Sequence, residues 1–106
     1  QAVATKLFHM YRKIEASRAL VKRVSLYNNT APLPSLQSAM AAKITGTQTA
    51  FEVASDAIQI FGGNGVTREY PIEKIFRDAR SSLIEDGCND ILAIKAGMNM
   101  INPELF

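Results

Sequence analysis

Three carboxylates fall within six residues, Glu85, Asp86 and Asp90, with Gly87 and Cys88 between them. A carboxylate buried at a loop-to-helix junction has its pKa raised toward neutrality, the condition for taking a proton from carbon. A solvated loop leading into an acidic helix start is the plainer alternative, since the helix dipole favours it. The run Gly62-Gly63-Asn64-Gly65 offers backbone N–H groups to an anion. It follows a helical pattern rather than a strand, so it is not the dinucleotide fingerprint, and a helix-ending cap is its alternative. His9 has no partner at metal or triad spacing. The single cysteine, Cys88, excludes an internal disulfide framework or a Cys-rich zinc site and reads as a small, half-buried residue. No metal centre is expected.

The elements that must position these residues are helical. Val3, Leu7, Met10, Ile14, Val21 and Val24 recur at spacings of three, four and seven. Asn28-Asn29-Thr30 and Pro32-Leu33-Pro34 end that stripe, and although the former fits a glycosylation pattern, it reads as a turn. Ser35 is an expected N-cap. Behind it Met40, Ile44, Thr47, Phe51, Ala54, Ile58 and Phe61 define a second rod about 40 Å long. Its alanines (Ala39, Ala41, Ala42, Ala50) favour helix and close approach of a neighbour. Gly62-Gly63 supplies a left-handed stop. Pro71 opens a short helix with Ile72, Ile75 and Phe76 inward. Residues 81–90 read as a loop rather than a hairpin, because a lone hairpin is marginal. A last helix carries Ile91, Leu92, Ile94, Ala96, Met98 and Ile101. The expected helices are 1–29, 35–61, 71–79 and 88–101 within one domain spanning 1–106.

The chain has 106 residues, 47% of them hydrophobic and 21% charged, which fits one folded domain rather than extended disorder. No run approaches the roughly 18 apolar residues of a membrane span, and no signal-peptide core opens the chain. The absence of an initial Met suggests a piece of something longer. Residues 1–30 carry six bases and one acid, while residues 31–106 carry six bases and nine acids. A basic helix suits nucleic acid or a membrane surface, but no RNA-binding signature or zinc spacing accompanies it, so a solvated face is preferred and no nucleic-acid partner is expected. Long amphipathic rods in so short a chain leave apolar surface uncovered, and bundles usually want four rods. A missing helix or a second copy is expected to cover it; a compact monomer in sedimentation would count against this.

Several of these residues carry a family resemblance. The run Asp56-Ala57-Ile58-Gln59-Ile60-Phe61-Gly62-Gly63-Asn64-Gly65-Val66-Thr67-Arg68-Glu69-Tyr70-Pro71-Ile72-Glu73-Lys74 is similar to the signature near the C-terminus of acyl-CoA dehydrogenases. Arg77-Asp78-Ala79-Arg80 follows at the family spacing. Ile84-Glu85-Asp86-Gly87-Cys88-Asn89-Asp90-Ile91 stands where the family usually reads Ile-Tyr-Glu-Gly-Thr-Asn-Glu-Ile. Gln1-Ala2 resembles the His-Gln-Ala opening a helix of the same domain, and the likeness runs to about Gly97.

The resemblance implies an all-α, up-down C-terminal bundle lacking its first helix and completed in a dimer or tetramer. It implies a flavoenzyme that uses FAD to introduce an α,β double bond into an acyl-CoA, with electron-transfer flavoprotein as acceptor. The compartment would be cytoplasm or mitochondrial matrix, not a secreted location. Gln59, Ile60, Phe61, Gly62 and Gly63 would contact FAD of a neighbouring subunit. Cys88, Asn89 and Asp90 would lie near FAD phosphates or ribityl, and Gly87 beside the thioester. The fragment alone is not expected to be active. Asp86 stands where the family has the glutamate base, one methylene shorter, which draws the carboxylate back by about 1 Å and can cost a hundredfold in rate. Four outcomes stay open. Asp86 serves a differently placed substrate, as in nitroalkane oxidases; Glu85 reaches in; the base lies upstream; or activity is lost. Glu85 for Tyr adds charge beside Asp86, and Cys88 for Thr weakens a donor. The reading from a different class is a helical self-association module without chemistry.

Overall fold

A computed structural model describes residues 1–105. It is all-α, with no strand among the described residues, and its helices are α1 (Ala2–Thr30), α2 (Leu36–Phe61), α3 (Ile72–Ser82) and α4 (Asn89–Ile101), plus a 3₁₀ turn at Gly62–Val66. The central rod is α2, against which every other helix packs, while α1 and α4 do not meet. Lys13 and Lys6 of α1 reach Glu52 at 3.3 Å and Asp56 at 3.9 Å, so α1 lies antiparallel to α2. Phe76 of α3 stacks on Phe51, and Asn99 of α4 meets Gln37. Helices α3 and α4 thus follow one another along α2, both antiparallel to it, as a third rod broken near its middle.

The local reasons are legible. Ser35 caps α2, its hydroxyl accepting from the Ser38 amide at 3.2 Å, while Asn28 closes the preceding turn by accepting from the Ser35 amide at 2.9 Å. Small residues set the α1–α2 seam. Ser17 and Val24 are buried, and a Cβ on Gly46 would stand 3.8 Å from Ser17 Oγ. Of the alanines expected to allow close approach, Ala42 is buried and Ala39 half-buried, whereas Ala41 and Ala50 face solvent; Ala54, a stripe residue, is the deepest of α2. Helix α3 runs to Ser82 rather than to 79, because nothing in Arg80-Ser81-Ser82 breaks it and Ser82 Oγ donates to Ala79 O at 2.6 Å. Pro71 stands one place earlier than expected, as the cap in helical conformation.

Much expected core is uncovered in the single chain. Val3 and Leu7 of α1 are exposed, as are Ile75 of α3, expected inward, and Ile91, Ile94, Met98 and Ile101 of α4. Helix α4 meets α2 through Asn89, Leu92, Ala96 and Asn99, half-buried or buried, and turns its isoleucines outward. The surface totals 7444 Å², against about 5,800 Å² for a compact monomer of this mass. The radius of gyration is 16.4 Å, where about 13 Å is usual. The excess on this one chain, about 1,600 Å², is about twice what each partner gives to a standard protein interface.

Candidate functional site

The glycine run does two different jobs. Gly62 ends α2 at φ 66° and ψ −144°. The positive φ fits the expected stop, but the ψ is not that of a left-handed cap; it borders a region open essentially to glycine alone, and the chain continues as a 3₁₀ turn. Gly65 is buried because it crosses Ile58 closely: a Cβ there would stand 2.7 Å from Ile58 O. Gly62 and Gly63 have nothing within 4 Å of a Cβ position and are exposed, together with Gln59 and Phe61. Ile60 is half-buried, and Phe61 stacks on Tyr70 at 5.5 Å.

The carboxylates sit on an elbow between α3 and α4. Glu85 and Asp86 are exposed in this chain, so neither is buried here by its own domain. Asp86 has φ 55° and Gly87 φ 96°; aspartate is among the few non-glycine residues that tolerate this region. The turn closes when the Asn89 amide donates to Leu83 O at 2.9 Å. Leu92 lies under Gly87, 3.0 Å from where a Cβ would be. Cys88 caps α4 without a side-chain hydrogen bond and is half-buried, as its sequence context indicates. Asp90 lies in the first turn of α4, where its charge suits the helix dipole.

Two residues of the elbow's anchorage, Lys43 and Thr47, were not singled out from sequence as site residues. Lys43 Nζ donates to Gly87 O at 3.0 Å and to Asn89 Oδ1 at 2.6 Å. Asn89 Nδ2 donates to Thr47 Oγ1 at 2.9 Å, and Thr47 Oγ1 donates to Lys43 O at 2.8 Å. The Asn89 side chain is therefore committed to α2. Arg80, with Gln48, Ile84 and Cys88 to Asp90, lines a shallow pocket of about 200 Å³ beside the elbow. The signal for Lys43 was present: it is the one base of α2, in a stretch of small and apolar residues.

The two halves of the candidate site are not brought together within one chain. Sixteen residues of α2 separate Lys43, at the elbow, from Gln59, at the glycine end, about 24 Å of helix. A second groove, of about 450 Å³, lies toward the glycine end of α2 between Lys6, His9, Arg12, Lys13 and Asp56. There His9 Nδ1 accepts from Arg12 Nε at 2.8 Å. Glu52 nearby has its pKa lowered, chiefly by the hydrogen bond from Gln48 and then by Lys13. Among the described residues no three His, Cys, Asp or Glu side chains are grouped to hold a metal ion, and no helix is long and apolar enough to cross a membrane.

An antiparallel helical-bundle domain with a bare glycine turn at one end of its central rod and an acidic elbow halfway along is the class this architecture defines. The family model described as acyl-CoA dehydrogenase, C-terminal domain, matches residues 1–101, and the chain belongs to that family. It is 40% identical over 80 residues to a cyclohexane-1-carbonyl-CoA dehydrogenase of Geobacter metallireducens, covering 74% of this chain and 20% of that protein. It is 35% identical over 91 residues to a short-chain-specific acyl-CoA dehydrogenase of Clostridium acetobutylicum, covering 86% and 24%. A solved structure from work on the electron-transferring flavoprotein of Acidaminococcus fermentans and flavin-based electron bifurcation superposes with a TM-score of 0.88. The two are 35% identical, and the match covers 96% of this chain and 27% of that one. The chain spans about a quarter of the length of the curated relatives it matches.

Proposed function

We propose that this chain is the cofactor-contacting and self-associating portion of an FAD-dependent acyl-CoA dehydrogenase. The reaction introduces an α,β double bond into an acyl-CoA thioester. The observation that carries the reading is the elbow: in a chain of this family, Asp86 holds a carboxylate in a fixed turn at the mouth of α4. Asp86 takes the α-proton. Gly87 lies beside the thioester, where the absence of a side chain leaves room for it. The first-turn amides of α4, from Cys88 to Asp90, face the cofactor's phosphates or ribityl, as helix N-termini do with anions. Of these, the Asn89 amide is already spent on Leu83 O and its side chain on α2, so the contribution falls to the amides of Cys88 and Asp90.

The residues at the other end fit the same cofactor from a different subunit. Gln59, Phe61, Gly62 and Gly63 form an exposed edge, with Ile60 half-buried among them and open space around both glycines, which a flat ring system or a phosphate can approach closely. Their separation of about 24 Å from the elbow supports contact with a neighbouring subunit's FAD. When bound, FAD supplies the acceptor for the β-hydrogen as hydride. The excess surface, with the outward isoleucines of α4, supports a dimer or tetramer. Electron-transfer flavoprotein is the proposed acceptor, and the cytoplasm or mitochondrial matrix the proposed compartment.

The test replaces Asp86 with Asn in the full-length protein and follows anaerobic flavin bleaching by butyryl-CoA and cyclohexane-1-carbonyl-CoA. Asparagine tolerates positive φ as aspartate does, so the substitution removes the charge and leaves the turn. A fall of about 10²–10⁴-fold is expected. An unchanged rate removes Asp86 from the role; a fall seen only in Glu85→Gln transfers it to Glu85.

A further inference from the structure

We infer that Lys43 is a positioning residue: by gripping the Gly87 carbonyl and the Asn89 side chain, it fixes where the elbow holds Asp86. The inference deepens the reading of Asp86 as base and rests on it. A non-glycine residue at positive φ persists only where its surroundings over-determine it. On the elbow itself the turn is closed by the Asn89 amide on Leu83 O, but Glu85, Asp86 and Gly87 are exposed and α4 has no side-chain cap. The further hold comes from α2. Lys43 Nζ bridges two points that bracket Cys88, at 3.0 and 2.6 Å. Thr47, one turn along the same helix, takes the remaining amide of Asn89 at 2.9 Å. Charge-assisted hydrogen bonds of this kind are shorter and stronger than neutral ones. Among the described residues no carboxylate pairs with Lys43, so its charge is directed at the elbow rather than at an ion pair.

The experiment uses the full-length, flavin-loaded protein with Lys43→Met, and Gln37→Leu as the comparison. Gln37 donates to Asn99 at 2.6 Å at the far end of the same α2–α4 seam, so its loss loosens docking without touching the elbow. In Lys43→Met, amide hydrogen exchange over residues 84–90 is expected to rise at least about tenfold, with or without flavin, while residues 72–82 are unchanged. Flavin content is retained, and bleaching by saturating butyryl-CoA slows about a hundredfold, the effect of a 1 Å misplacement. Gln37→Leu is expected to lower thermal stability and leave the bleaching rate in place. Unchanged exchange at 84–90 overturns the inference, as does an unchanged rate, or equal slowing in Gln37→Leu. Should Lys43→Met not accumulate as folded protein, Lys43→Gln is read by the same measurements with the same outcomes. If neither butyryl-CoA nor cyclohexane-1-carbonyl-CoA bleaches even the unaltered protein, the Asp86 reading falls, while the exchange data still judge the grip.

Discussion

Alanine at Gly65 and alanine at Gly63 should have opposite effects, although the two glycines stand two residues apart in one motif. At Gly65 the new methyl would lie 2.7 Å from Ile58 O and 3.0 Å from both Ile58 Cα and Cγ2. Two of these are backbone atoms of α2, which cannot turn aside, so the 3₁₀ turn must lift. Overpacking of this kind costs about 1–3 kcal/mol, and the stiffer unfolded chain returns about 0.4–1 kcal/mol. The net is about 1–2 kcal/mol of destabilisation. At Gly63 the methyl meets nothing within 4 Å and φ is not positive, so only the gain of about 0.4–1 kcal/mol remains. The gain is common to both, so the two variants should differ by the overpacking cost, about 1–3 kcal/mol, in urea unfolding of the flavin-free, full-length protein. Flavin retention on dialysis should reverse the order, because a side chain at Gly63 obstructs the exposed edge and one at Gly65 does not. Gly65→Ala unfolding together with the unaltered protein, or Gly63→Ala proving the less stable, would refute this division of labour.

Other perturbations follow from the same geometry. Ser35→Ala removes the cap on the Ser38 amide and should cost about 1 kcal/mol in urea unfolding. Asp86→Ala should be about 1 kcal/mol less stable than Asp86→Asn, since alanine lacks the side chain that eases positive φ. Glu52 has its pKa lowered by Gln48 and Lys13, so its contribution is complete above its ordinary value of 4.5 and fades as pH falls through the lowered one. Glu52→Gln should therefore flatten the acid limb of the stability profile, slightly, because the pair is solvent-screened. Ile94→Glu, at a side chain 56% exposed in the single chain, should reduce the assembly in sedimentation without loosening the α2–α4 seam.

The helices were readable because their signals are local. Ser35 before a three-four stripe, proline at 71 and glycine at 62 each act on their own backbone. Which apolar residues would be covered was less readable. Ile75 and Ile91 obey helical periodicity but lie uncovered in the single chain, and periodicity does not say which neighbour receives a face. The carboxylates and glycines were found by type and spacing, whereas the grip of Lys43 on Gly87 was missed. That contact joins residues 44 apart in sequence, and only the antiparallel course of α4 along α2 makes it. Gly65 was grouped with Gly62 and Gly63 for the same reason: its tight crossing over Ile58 is a packing fact, invisible in a run of small letters.

The positive φ at position 86 makes that residue answer to two criteria at once. A carboxylate is found on two side chains, and a left-handed backbone is tolerated by few residues beyond glycine, with Asp and Asn foremost. Aspartate alone satisfies both without strain. Lengthening it to glutamate would keep the acid but give up the short side chain that can hydrogen-bond locally in this turn. Replacing Asp86 by glutamate is thus a conformational change as well as a chemical one: the longer reach comes with a residue less at ease at positive φ.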